Sequence, residues 1–213
     1  MKKPFHILLL VTLIALCHST AVASGKVTVQ MKTTAGDILI ELYPQAAPIT
    51  VENFLKYVDG GYYTNAHFYR VVRMDNQAQN RIRIEVIQGG LAGDEDSDPP
   101  FPPIAHETTG TTGIRHKDGV ISMARLEPGS ASSEFFISIN EQPELDFGGQ
   151  RNPDGQGFAA FGQVVEGMET VRLIQSMKTD LPEGEELQYT SGQILVDPVV
   201  ILEIRRVKGA EPF

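Results

Sequence analysis

At 213 residues, with 41% hydrophobic and 21% charged positions, the chain has the composition of an ordinary globular protein and is long enough for one domain with a sizeable core. Its formal charge of −9 argues against a nucleic-acid or anionic-lipid partner, because such a surface repels phosphate. A single cysteine, Cys17, excludes an internal disulfide framework.

The first segment reads as separate from that domain. Lys2 and Lys3 precede a predominantly apolar run from Ile7 to Leu16, and Ala21-Val22-Ala23 places small residues where a signal peptidase reads them. This predicts a cleaved signal peptide over residues 1–23 and a single domain over 24–213. The run falls short of the roughly 20 apolar residues a membrane span needs, and His18, Ser19 and Thr20 close it. No stable membrane insertion is expected once the leader is gone. Bulky Leu16 before Cys17 speaks against a lipoprotein. Cleavage removes Cys17, so no thiol catalyst is expected, and it removes both leader lysines, so the formal charge becomes −11. The short Lys-Lys leader looks bacterial and points to the periplasm.

Strands dominate the rest of the chain. Val27 to Lys32 and Ile38 to Leu42 alternate apolar and polar residues about Ala35-Gly36-Asp37, which predicts a hairpin. Val51, Phe54, Leu55 and Val58 have helical spacing within Thr50 to Val58, ended by Gly60-Gly61. Further strands are predicted at Phe68 to Arg73, Ile82 to Gln88, Val120 to Ala124, Phe135 to Asn140 and Ala160 to Val165. A second helix is predicted from Met168 to Met177, and an extended segment, interrupted by Pro198, from Ile194 to Val207. Periodicity alone supports only a mostly β domain. The acidic, Pro-rich stretch from Asp94 to Pro103 lacks the glycine and distant glutamate of an EF-hand loop and reads as solvated. His67, His106 and His116 have no zinc-ligand spacing, so no metal is expected. Neither a phosphate-cradling loop nor a Gly-x-Ser-x-Gly elbow is present.

The chemically informative stretches are Gly119 to Arg125 and Glu134 to Ile137, short apolar strands bordered by small residues that are suited to wall a pocket. A third strand, His67 to Val72, supplies an arginine. The ordered set Phe68-Tyr69-Arg70-Val71-Val72, Gln88-Gly89-Gly90, Ser122-Met123-Ala124, Ser133-Glu134-Phe135-Phe136-Ile137, Phe161-Gly162-Gln163-Val164 and Glu166-Gly167-Met168 resembles the cyclophilins, the peptidyl-prolyl isomerases, from about Val27 to Val207. The spelling Ile121 to Arg125 resembles the bacterial secreted branch. The resemblance implies a closed eight-stranded antiparallel β-barrel capped by two α-helices, no cofactor, a monomer, and unfolded or extended Pro-containing polypeptides as partners.

It also implies roles. Arg70 is the catalytic cation, with Gln88 either near the substrate backbone or orienting the guanidinium, and Phe136 forms the floor of the proline pocket. Val86, Leu145 and Phe158 join that floor, while Ala124, Arg125, Leu126 and Glu134 contact substrate, the main chain at Ala124 and Arg125 pairing with it as an added strand. Four positions depart from the best-known cyclophilins: Glu134 stands for a glutamine, Glu85 for a phenylalanine, Glu144 for a tryptophan and Phe158 for a histidine. Glu134 is therefore expected to pair with Arg70 or Arg125, either steadying the catalytic cation or holding it away from substrate. Two insertions, one including Met74 to Asn80 and the other Asp146 to Gly157, are expected to flank the pocket. Two functions stay open at this level: an isomerase, or a chaperone-like binding module for Pro-containing segments.

Overall fold

A computed structural model describes residues 25–91, 99–180 and 189–207; the leader, Cys17 and Asp94 to Asp98 lie outside them. The elements are β1 (Val27–Thr33), β2 (Gly36–Leu42), α1 (Pro48–Asp59), β3 (Ala66–Val72), β4 (Val86–Gly90), α2 (Thr109–Thr112), β5 (Val120–Met123), β6 (Phe135–Ser138), β7 (Ala159–Glu166), α3 (Met168–Gln175) and β8 (Ile194–Arg206). A 3-10 turn, Pro143–Leu145, precedes β7. The eight strands close into one antiparallel barrel in the order β1-β2-β7-β5-β6-β4-β3-β8. Closure leaves no free edge among the described strands.

The interior is apolar and aromatic. Phe54 of α1 packs edge-on to Phe135 of β6 and tilted against Phe161 of β7, with centroids 5.7 and 5.2 Å away. Helix α3 buries Val171 and Ile174 on its own side of the barrel. Ala47 gives α1 no side-chain cap; instead Glu107, distant in sequence, accepts from Ile49 N, Thr50 N and Thr50 Oγ1 at 3.2, 2.8 and 2.7 Å.

Three departures from the expected elements matter for the site. Strand β4 starts at Val86 rather than Ile82, because the buried amide of Gln77 takes the place of a neighbouring strand: Ile84 N donates to its Oε1 (3.2 Å) and its Nε2 donates to Ile84 O (2.7 Å). Strand β8 runs through Pro198, yet its pairing with β3 jumps from Phe68↔Val199 to Arg70↔Ile194. Proline sits in the segment passed over, where no ladder donor is required. The same point in β3 is bulged against β4, where Phe68 opposes Gly89 and Arg70 opposes Gln88.

That bulge decides where the arginine goes. Phe68 and Val71 both belong to the barrel interior, together with Ile87, Phe135 and Ile137. Strict alternation from Phe68 would turn residue 70 inward as well; the extra residue resets the alternation and delivers Arg70 to the outer face. There a second apolar cluster, comprising Val72, Ile84, Val86, Phe136, Leu145 and Phe158, packs outside the barrel.

Candidate active site

A row of directly opposed residues crosses the outer face: Arg70 on β3, Gln88 on β4, Phe136 on β6 and Ser122 on β5. Above it lies a cavity of about 540 Å³, lined among others by Arg70, Gln88, Phe136, Val86, Ala124, Arg125, Leu126, Glu134, Leu145 and Phe158. The structure thus gathers all ten residues singled out in the sequence around one space. Leu145 comes from the 3-10 turn, and Ile84 takes the wall position that Glu85 does not occupy. Glu85 turns instead to Asn140, whose Nδ2 donates to it at 2.9 Å.

Arg70 is 8% exposed and tightly held. Nη1 donates to Gln88 Oε1 at 2.7 Å, while Nε and Nη2 donate to Gln193 Oε1 at 3.0 and 2.6 Å. The guanidinium also lies 5.0 Å from the centre of the Tyr189 ring. Burial pulls its pKa below the usual guanidinium value, but arginine keeps its proton near neutrality all the same. These bonds engage three of its five N–H groups, and the Tyr189 phenol takes a share of the remainder.

Gln88 does more than orient Arg70. Because the bulge sets both Tyr69 and Arg70 opposite it, its Oε1 accepts from Arg70 and its Nε2 donates to Tyr69 Oη at 2.8 Å. Tyr69 in turn donates to Glu134 at 2.7 Å. Burial first, and then the Glu134 charge, push the Tyr69 phenol far up, so it stays a neutral donor. The expectation that Glu134 pairs with Arg70 or Arg125 is corrected here: its carboxylate accepts from Tyr69 Oη and from Ser133 Oγ (3.2 Å). Gly90 makes this possible; at φ +151° a Cβ there would collide with the Glu134 carboxylate.

Arg125 has a different task. Its side chain is fully enclosed, donates to Gly157 O from Nε and Nη2 (2.8 and 2.6 Å), and forms a two-point pair with Asp154 at 2.8 and 2.9 Å. It covers the Phe158 ring at 5.3 Å. Arg125 therefore clasps the Asp146 to Gly157 insertion against the cavity, and Asp154, hydrogen-bonded to it, is held down to about 2. The Ala124 N–H already donates to Glu134 O at 2.9 Å, so the expected strand pairing there falls to the Ala124 carbonyl and the Arg125 main chain. Leu126 stands at the rim, 90% exposed.

The floor rests on a buried polar stack. Phe136 meets Phe158 edge-on at 5.2 Å and lies face to face with His116 at 5.8 Å. His116 Nδ1 is 2.8 Å from Asp146 Oδ1, and Nε2 is 3.0 Å from Ser122 Oγ.

Several residues in or behind the cavity wall have no motif to mark them. Gln193, the second holder of Arg70, lies 123 positions after it in the chain. Tyr189 and Arg151 also line the cavity, Arg151 projecting from the Asp146 to Gly157 insertion and bonded to Ile82 O and Gln77 of the other insertion. The Asp146 to Gly157 insertion lines the cavity through Arg151, Asn152 and Pro153, whereas Met74 to Asn80 reaches it only through the bond of Gln77 to Arg151. The only available signal was the polar content of segments too long to be simple turns.

The chain is similar to known proteins over most of its length. Residues 28–204 fit the family model described as cyclophilin type peptidyl-prolyl cis-trans isomerase/CLD. A peptidyl-prolyl cis-trans isomerase of Streptomyces antibioticus is 35% identical over 175 residues, 82% of this chain and 95% of that one. Peptidyl-prolyl cis-trans isomerase A of Dickeya dadantii is 37% identical over 159 residues (74% and 76%), and isomerase B of Escherichia coli 31% over 176 (82% and 99%). In fold, a cyclophilin type peptidyl-prolyl cis-trans isomerase of Cryptosporidium parvum superimposes with a TM-score of 0.66 at 21% identity, covering 87% of this chain and 99% of that one. That protein's structure was also determined in the presence of the dipeptide Ala-Pro. With the barrel, the opposed row of Arg70, Gln88 and Phe136, and relatives of this closeness, the chain belongs to the cyclophilin-type peptidyl-prolyl cis-trans isomerase family.

Proposed function

We propose that the chain, after loss of a leader ending near Ala23, accelerates cis-trans exchange at Xaa-Pro bonds of polypeptides secreted into a bacterial periplasm, acting as a monomer without a cofactor. The observation that carries this reading is the immobilised Arg70 guanidinium at the wall of an apolar cavity floored by Phe136.

The rotational barrier of a peptide bond, about 18–20 kcal/mol, comes from delocalisation of the nitrogen lone pair into the carbonyl. No covalent bond has to break. A proline ring seated on Phe136, between Val86, Leu145 and Phe158, is held while the preceding carbonyl swings. In the twisted amide the nitrogen has recovered its lone pair and accepts a hydrogen bond, which a planar amide nitrogen does not. An N–H of Arg70 donating to it binds the twisted state selectively, and selective binding of that state is what lowers the barrier. Gln88 and Gln193 fix the donor beforehand, so little reorganisation is left to the moment of twisting. The extended substrate enters across Leu126 and the main chain of Arg125.

Glu134 favours this enzyme reading over a binding module. Hydrogen-bonded to Tyr69, it steadies Gln88 through the chain Glu134–Tyr69–Gln88–Arg70. The test is the isomerisation rate of a short Xaa-Pro peptide with residues 24–213, beside Arg70→Ala. Loss of the donor is expected to lower kcat/KM by about 10²–10³, the cost of removing one preorganised donor to a developing charge or lone pair. Equal, slow rates from two folded proteins would leave a binding module as the better account.

A further inference from the structure

The cavity has an electrostatic character that the twisting of a neutral amide does not use. In a chain of charge −9, the lining, among the described residues, carries three guanidinium groups, Arg70, Arg125 and Arg151, against the one carboxylate of Glu134. Arg125 is neutralised by Asp154, and Glu134 is held by Tyr69. Arg70 and Arg151 form no ion pair among the described residues, although both are about nine-tenths buried.

Arg151 is built in rather than draped over the surface. Nη1 donates to Ile82 O and to Gln77 Oε1 (3.4 Å), and Nη2 donates to Tyr189 Oη at 2.9 Å, so three of its five N–H groups have partners. Nε is buried with none. Its guanidinium stands 5.3 Å from the centre of the Tyr189 ring, and that of Arg70 stands 5.0 Å from the same centre. Two like charges are thus gathered about one tyrosine, in a site where water is partly excluded. Burial would raise the Tyr189 phenol, but Arg151 and Arg70 outweigh it and bring it below its usual value, which registers the positive field at this corner. Gathering unpaired cations costs free energy, and an anion brought by the ligand relieves it.

We propose that Arg151, with Tyr189 beside it, forms an anion subsite of the proline cavity, which selects Xaa-Pro segments carrying a carboxylate on a residue adjacent to proline. Arg70 serves the amide and Arg151 the neighbouring side chain. This rests on the isomerase reading above for the position of the proline ring and names the substrate class of that same site.

The experiment compares three capped peptides, free of terminal charge: Ala-Ala-Pro-Ala, Ala-Glu-Pro-Ala and Ala-Ala-Pro-Glu. Exchange rates are measured by NMR and affinities by calorimetry. One glutamyl peptide is expected to show a kcat/KM at least about tenfold above the neutral peptide, the equivalent of about 1.4 kcal/mol, and which of the two does so tells on which side of proline the subsite lies. In wild type that preference shrinks in about 1 M sodium chloride, where the Debye length is roughly 3 Å. In Arg151→Met the ratio of acidic to neutral substrate drops toward one, and Arg151→Lys keeps part of it. A wild type that turns over the neutral peptide but shows no acidic preference, or one indifferent to salt, overturns the subsite and leaves the isomerase reading standing. A wild type that accelerates none of the peptides overturns the isomerase reading, and the calorimetric affinities then decide the subsite: equal binding of all three peptides refutes it.

Discussion

Gln193→Leu removes the acceptor shared by Nε and Nη2 of Arg70 while nearly preserving the volume that is wholly buried there. Hydrogen bonds to a charged partner contribute about 1.5–3 kcal/mol, and here both bonds serve to hold the guanidinium in one orientation. Gln88 still holds Nη1, so the side chain stays in the cavity but gains freedom about its axis. Expressed in the twisted state alone, the loss lowers kcat/KM by roughly ten- to a hundredfold. On the proposed mechanism the bond to the amide nitrogen forms only in the twisted state, so the fall belongs in kcat and KM should barely move. The assay is exchange NMR on a saturable Xaa-Pro peptide, with urea unfolding of the same samples to confirm the fold. Gln193→Glu keeps an acceptor at this point and should stay closer to wild type. Unchanged kcat in a folded Gln193→Leu, or a change confined to KM, would refute the claim that preorganisation of Arg70 resides in this contact.

Other parts of the structure yield their own expectations. Gln77→Leu strands the backbone polar groups of Ile84 and takes one acceptor from Arg151 Nη1, and should cost about 1–3 kcal/mol for each group left unsatisfied, read as a lower urea midpoint with little change in slope. Glu107→Ala unties the first turn of α1, and neither Glu107 nor that turn lines the cavity, so it should lower stability by about 1 kcal/mol while leaving the isomerisation rate as it is. Asp154 titrates at about 2 in the folded chain against its ordinary 3.8. A lowered carboxyl contributes stability above its unfolded value and loses it as the pH falls through the folded one. Amide protection factors in the Asp146 to Gly157 loop, taken against the intrinsic exchange rate at each pH, should therefore fall between about pH 4 and pH 2 in wild type, and Asp154→Asn should show the lower protection already at neutral pH. The contribution is modest, since the pair is solvent-screened on the Asp154 side.

The range of each interaction decides how far the sequence could reveal it. Arg70, Gln88 and Phe136 lie in short motifs because each is flanked by the interior residues that hold its strand: Phe68 and Val71, Gly89, and Phe135 with Ile137. Motif order therefore carried the barrel and the floor. The bulge at Tyr69 left no mark, because alternation in His67 to Val72 is ambiguous in a strand buried on both faces. Gln193 and Tyr189 reach Arg70 only through the closure of β8 on β3, a long-range contact for which no local pattern exists. Glu134 was legible as an anion near two arginines, yet its position beside Gly90 and under Tyr69 decided its partner. Ile82 to Glu85 has the pattern of a strand but not its geometry, because a glutamine side chain supplies the bonds another strand would have made.

The stack beneath Phe136 shows why a constellation must be read with its access. Ser122, His116 and Asp146 stand at 3.0 and 2.8 Å in the order that activates a serine nucleophile elsewhere. Here Ser122 is completely buried, His116 is 2% exposed, and the Phe136 ring lies flat over the imidazole. A substrate carbonyl reaches the ring, never the hydroxyl. The same three hydrogen-bonding groups therefore act in the opposite sense to a hydrolase, satisfying one another in the interior and fixing the orientation of an aromatic surface. That orientation matters more in this chemistry than a nucleophile would. The proposed mechanism, which only favours a twisted amide, depends on a rigid floor and a rigid cation, and the two are built from the same row of residues: Ser122 next to Phe136, and Gln88 beside Arg70.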